Sequence, residues 1–247
     1  MCPNLSIVFS FTLLFSGVFL VGTLSLLLPL PSMANPQAII PAAPIDEDYE
    51  EMGNEENDDE DFEQENSILI CCAWGYALAD GSLTYYINDK DSSEKQQEVV
   101  RDAIKEWDKK IDPLELEESS NQKVSDIKID FQKDNEQGIA GQTVNTFDSY
   151  GLTEKVGITI FKETSDYKFN NVVIKQIAIH EMGHALGLGH ANFNGNIMAA
   201  LINYGTDSIS ECEVRGVFEA NHWYMEDNDD GNNIPEYPRY DIIACDR

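Results

Sequence analysis

Three of the four histidines of this 247-residue chain fall within eleven residues, His180-Glu181-Met182-Gly183-His184-Ala185-Leu186-Gly187-Leu188-Gly189-His190. No other feature limits the fold as tightly. A helix advances 1.5 Å per residue and turns once in 3.6, so His180 and His184 project from one face, a turn apart. Together they can offer two imidazole nitrogens to one ion. Glu181 lies about 100° round from His180, near such an ion without having to ligate it. A third ligand six residues beyond His184 cannot come from the same straight helix. Gly187 is placed to end the helix in a left-handed conformation that costs glycine little, which lets His190 return to the site. Three protein ligands leave one tetrahedral position open, the mark of a catalytic zinc. Zinc lowers the pKa of its water to about 7, and Glu181 can take the proton and pass it to a leaving amine. Hydrolysis of an amide is the expected chemistry. By residue frequencies, a chance match to these five fixed positions in such a chain is on the order of 1 in 100,000.

The sequence around this motif predicts an α/β (α+β) domain. Leu83-Thr84-Tyr85-Tyr86-Ile87 reads as a strand ended by Asn88-Asp89. Ser93 is a helix N-cap, and Val99, Val100, Ala103, Ile104, Trp107 and Ile111 follow at helical spacing until Pro113. Ile127, Ile129 and Phe131 alternate as a half-buried strand. Two further strands are expected around Gly141–Phe147 and Val156–Phe161, joined by a turn at Asp148-Ser149-Tyr150-Gly151. A long helix is expected from about Val172 to Leu186, then a loop over 191–208 and a last helix over 210–224. One face of a sheet packed on two helices accounts for this order.

These residues resemble the metzincins, in which His-Glu-x-x-His-x-x-Gly-x-x-His is followed by a methionine-containing turn. Gly195-Asn196-Ile197-Met198 places Met198 eight residues beyond His190, a spacing similar to that of the matrixin branch. Trp74 through Ile87 looks like a matrixin domain opening, and Ala103–Trp107 and Asp126–Phe131 fall where that family places a helix and a strand. The resemblance spans roughly 70–225. It implies a zincin-like catalytic domain: a twisted mixed sheet with an antiparallel edge strand on two long helices, an active-site helix, a methionine turn and a C-terminal helix. It also implies that Gly187 and Met198 support the site, and that Val156–Phe161 is the edge strand that pairs with an extended substrate. The sequence departs from the family after Met198, where Ala199-Ala200-Leu201-Ile202-Asn203-Tyr204 replaces a Pro-x-Tyr wall, so preference at P1′ stays open. With His222 the only further histidine, no second, structural zinc is expected. The family's Pro-Arg-Cys-Gly inhibitory segment is absent from this sequence.

Charge narrows the partners. With 16 Lys+Arg against 45 Asp+Glu, the formal charge is -29. No cluster of cations offers a phosphate-binding face, which excludes nucleic acid as a partner. A peptide or protein substrate remains. Leu5–Leu30 is apolar and long enough to span a bilayer. Ser32-Met33-Ala34 supplies the small residues of a cleavage site. Residues 1–34 are therefore a signal peptide or a retained N-terminal anchor, and both readings export the rest to the cell surface or beyond. Residues 35–67 read as a linker, since 13 acids and no base occupy positions 46–65. The catalytic domain is assigned to 68–225 and an acidic tail to 226–247. Cys71, Cys72, Cys212 and Cys245 are disulfide candidates in an exported chain. The favoured pairing sends Cys71 and Cys72 each to one of Cys212 and Cys245, with free buried thiols as the alternative. Glu226-Asp227-Asn228-Asp229-Asp230-Gly231 suits calcium by composition but fails the EF-hand register, because Tyr237 falls at position twelve.

The expected function is an exported zinc-dependent endopeptidase with His180, His184 and His190 on the metal and Glu181 as general base and acid. Two alternatives stay open from sequence: an inactive zinc-binding surface protein, and a zinc hydrolase of a non-peptide amide.

Overall fold

A computed structural model describes residues 65–134, 138–201, 205–206, 208–225 and 241–245, without the side chains of 222–225. The apolar segment within 1–34, the acidic linker up to residue 64, the residues 202–204 beyond Met198, the His222 side chain and the run 226–231 lie outside what is described.

Eight strands and three helices are described. In chain order they are β1 (Ser67–Ile70), β2 (Ser82–Ile87), α1 (Glu94–Asp108), β3 (Glu115–Glu118), β4 (Ile127–Gln132), β5 (Gly141–Phe147), β6 (Thr153–Phe161), α2 (Asn171–Ala185), β7 (Leu188–Ala191), α3 (Glu211–Met225) and β8 (Asp241–Ala244). The main sheet runs β3-β2-β4-β6-β5, parallel except for β5, which is antiparallel to β6. A second, antiparallel sheet runs β7-β1-β8.

Local sequence explains the elements that position the site. Ser93 caps α1 through a reciprocal capping box with Gln96, and the helix buries Val99, Val100, Ala103, Ile104 and Trp107 on one face. Asn170 caps α2 by accepting from the amides of Val172 and Val173 at 2.9 and 3.1 Å. From Ile177 to Ala185 every residue of α2 is buried, so this part of the helix is covered on all sides and presents no solvent stripe. In β4, Ile127, Ile129 and Phe131 alternate into the core. The turn between β5 and β6 is built by Asp148, whose Oδ1 accepts from the amides of Tyr150 and Leu152.

Two sequence expectations need correction. Val156–Phe161 lies in β6, which is paired on both sides, by β4 and by β5. The antiparallel edge strand is β5, because the turn folds the earlier strand outside the later one. The cysteines also pair differently. Cys71 bonds to its neighbour Cys72, and Cys212 bonds to Cys245. The start and end of the domain are joined instead by backbone: β1 pairs with β8 over Ser67–Ile70, and the Cys245 amide donates to the Asn66 carbonyl at 2.7 Å. The strand Asp241–Ala244 thus lies inside a segment that reads in sequence as an acidic tail.

Candidate metal centre

α2 carries His180 and His184 one turn apart on its buried face. Its end is set by Gly187, which has φ +106°, a value that side-chain-bearing residues rarely adopt. Space makes the same demand, since a Cβ there would press on the Cys72 carbonyl oxygen and lie 3.0 Å from the Ala220 Cβ. The Gly187 carbonyl accepts from the Cys71 and Cys72 amides at 2.9 and 3.4 Å, which ties the turn to the chain that follows β1. Beyond the turn, β7 brings His190 back beside α2. The three rings close to centroid separations of 4.6, 4.9 and 5.4 Å, and their donor atoms all lie within 4.8 Å of one another.

The tautomers follow from hydrogen bonds. His180 Nδ1 lies 2.7 Å from the Ile197 carbonyl and His184 Nδ1 lies 2.7 Å from the Leu188 carbonyl. A carbonyl only accepts, so both Nδ1 atoms carry the proton and both Nε2 atoms keep a lone pair. Nε2 of all three histidines is buried with no hydrogen-bond partner among the described residues. Burial first, then the neighbouring His184, holds His180 well below the ordinary imidazole value. Burial likewise lowers His184 and His190 to about 4, with His190 adding to the effect on His184. Three neutral imidazoles with converging donor atoms, two of them fixed with a free Nε2 lone pair, fit zinc by number and chemistry. An orphaned buried acceptor costs about 1–3 kcal/mol, and a bond to the metal would relieve it.

Glu181 is fully buried beside this cluster. Its Oε2 accepts from the Thr143 hydroxyl at 2.6 Å, while Oε1 is buried without a partner among the described residues. Burial pushes the carboxyl up to about 8, and the Thr143 hydrogen bond opposes that rise. Met198 is fully buried, with its sulfur against Gly183 between the two helical histidines. Its amide donates to Asn196 Oδ1 at 2.7 Å, and its carbonyl accepts from the Ala191 amide at 2.9 Å, so the methionine turn is fastened to β7 directly after His190. Asn196 Nδ2 in turn donates to Glu213, a fully buried carboxylate at the start of α3 whose Oε2 also accepts from the Ser210 amide.

Over this fold and site, the model of the matrixin peptidases matches residues 74–219, more than half of the chain. The chain belongs to the matrixin family. No curated protein matches it. Family and histidine triad together support a zinc metallopeptidase. The structure of this matrixin brings His180, Glu181, His184, Gly187, His190 and Met198 into one site. Of the cysteines, Cys71 and Cys72 lie against the Gly187 turn, whereas Cys212 and Cys245 join α3 to β8. Sequence reading missed Thr143, Asn196 and Glu213. Thr143 sits in an alternating strand where any residue on that face would read alike, and Asn196 reads as a turn former beside Gly195. Glu213 carries no sign of its burial among 45 acidic residues.

Proposed function

We propose that this matrixin is an exported zinc-dependent endopeptidase. The observation that carries the reading is the convergence of three histidines, whose Nε2 atoms have no partner among the described residues, beside a buried carboxylate with one oxygen likewise unpartnered. Zinc held by His180, His184 and His190 supplies a Lewis acid that acidifies water and polarises the scissile carbonyl. The chain does the rest. The Ile197 and Leu188 carbonyls lock two imidazoles in the ligating tautomer. Glu181 accepts a proton from the attacking water and returns it to the leaving amine, and burial favours its holding that proton between the two steps. Among the described residues the outer edge of β5 has no partner strand, and an extended peptide can add to it as a further strand. Binding of the substrate backbone as a strand favours cleavage within a chain. Export is supported by the apolar Leu5–Leu30 segment before Ala34, and a Cys212–Cys245 bond suits an oxidising compartment.

The test is cleavage of an unbiased peptide library by the zinc-loaded protein and by Glu181→Ala. The variant should keep zinc and lose nearly all internal cleavage. Wild-type rates in the variant would refute the mechanism.

A further inference from the structure

We propose that Thr143, on the edge strand, is the positioning residue for the general base: its hydroxyl pins Oε2 of Glu181 and leaves Oε1 as the oxygen that exchanges the proton. This rests on the zinc-peptidase reading above. Thr143 Oγ1 lies 2.6 Å from Oε2 and 3.1 Å from the Glu181 carbonyl oxygen. A hydroxyl has one proton to donate, and the nearer acceptor takes it, since the shorter O–H···O bond is the stronger one. Oε1 is buried and partnerless among the described residues. The carboxylate is also held by shape. Gly141 shares the inner face of β5 with Thr143, two residues away, and a Cβ at Gly141 would overlap Oε1 of Glu181 and lie 2.7 Å from both its Cγ and Cδ. The strand backbone is therefore a wall against the carboxylate, and the hydroxyl fixes its rotation in front of that wall.

The proton then has one route. A water O–H bond breaks, its proton goes to Oε1, and its oxygen bonds the scissile carbon while the carbonyl π pair moves onto the carbonyl oxygen. That pair re-forms the C=O bond as the C–N bond breaks, and the nitrogen keeps the C–N electron pair and receives the proton back from Oε1. Oε2 stays engaged with Thr143 throughout. The strand proposed to hold the substrate backbone thereby also orients the base, so substrate and base share one frame.

The experiment compares Thr143→Val, Thr143→Ser and Glu181→Ala in the full, zinc-loaded chain. Thr143→Val should lower kcat about tenfold with KM changed less than twofold and zinc content unchanged, because it removes a hydrogen bond to the base without touching metal or substrate. Thr143→Ser should restore kcat to within about twofold of wild type. A second readout is independent of turnover. Thr143→Val should lower the melting temperature of the metal-free wild-type background but not that of a Glu181→Leu background, where the hydroxyl has no carboxylate to meet. Thr143→Ala gives the same readouts if the valine variant does not accumulate folded. Wild-type kcat in Thr143→Val, a serine variant as slow as valine, or equal melting losses in both backgrounds would overturn the proposal. Full cleavage by Glu181→Ala would instead overturn the mechanism on which it rests.

Discussion

Gly183 lies between the two helical histidines, on the side of α2 that faces Met198, and replacing it by alanine sets two effects of opposite sign against each other. In a helix interior, alanine is favoured over glycine by about 0.8–1.0 kcal/mol. Against this, a Cβ at Gly183 would overlap the Met198 sulfur, approach Met198 Cε to 3.0 Å and approach the Trp107 ring to 3.3 Å. Methionine is flexible, but here it has no room. Met198 and Trp107 are both fully buried. The Met198 backbone is tied at its amide to Asn196 and at its carbonyl to Ala191, and the indole of Trp107 donates to the Ile179 carbonyl at 2.9 Å. Overpacking of this kind costs about 1–3 kcal/mol, so Gly183→Ala should be destabilised by up to about 2 kcal/mol net. For a domain of this size that is a fall of up to roughly 8 °C in melting temperature. Any retreat of Met198 drags the Ala191 amide and with it His190, so zinc affinity should fall about tenfold, as for other groups that support metal ligands. The assay is thermal melting and zinc titration of Gly183→Ala, Met198→Ala and the double variant. Met198→Ala alone leaves a cavity worth about 2–5 kcal/mol. In that background the added methyl group finds space, and Gly183→Ala should become neutral or stabilising. A wild-type background in which Gly183→Ala raises the melting temperature and leaves zinc binding intact would refute the reasoning.

Gly141→Ala should leave the fold in place but cut hydrolysis at least tenfold, because the new methyl group displaces the Glu181 carboxylate; kinetics and circular dichroism on one preparation check it. Asn221→Ala should cost about 2–4 kcal/mol in urea unfolding, since the buried Asn221 side chain accepts from the Trp74 amide at 3.0 Å and donates to the Leu186 and Val217 carbonyls at 3.0 and 2.9 Å. In the metal-free protein, pH should act through the triad. The folded pKa values of His180, His184 and His190 lie below the ordinary 6.5, so the unfolded chain binds protons first and stability is lost as pH falls from 6.5 toward about 4. Glu181 works in the opposite sense, its raised value adding stability as pH falls from about 8 to 4.5, but three groups outweigh one below 6.5. Chelator-treated protein that melts at the same temperature at pH 6.5 and pH 5 would contradict this.

The zinc cluster was legible because its information is local. Helical spacing puts His180 and His184 on one face, and a glycine can turn the chain for His190, so eleven residues contain the geometry. α1 and α2 were legible for similar reasons, through Ser93 as a cap and the spacing of Val99 to Trp107. What depended on distant partners was not. β3, Glu115–Glu118, carries three acids and buries only Leu116, so its sequence looks like a solvated loop. Its charges suit the outer strand of a sheet, and Arg101 of α1 reaches Glu118 at 2.9 Å. β7 contains Gly189 and His190, and β8 follows a polar stretch, so neither shows the alternation that marks a strand. The order of β5 and β6 was misassigned for a related reason: a hairpin fixes which strands pair, but not which of them lies outside. The disulfides turned on the same missing knowledge. Cys212 meets Cys245 only because β8 returns to β1 beside α3, which leaves Cys71 and Cys72 to each other.

That return of β8 has a practical corollary. Asn66 and Cys245 are held by a hydrogen bond of 2.7 Å, so the peptidase body is entered and left at a single corner. A short bridge could join the two positions into a ring, and fresh ends could be opened in the exposed loop near Asn121 without cutting a strand of either sheet. Such a permuted molecule would keep its cleft while presenting new attachment points on a different side.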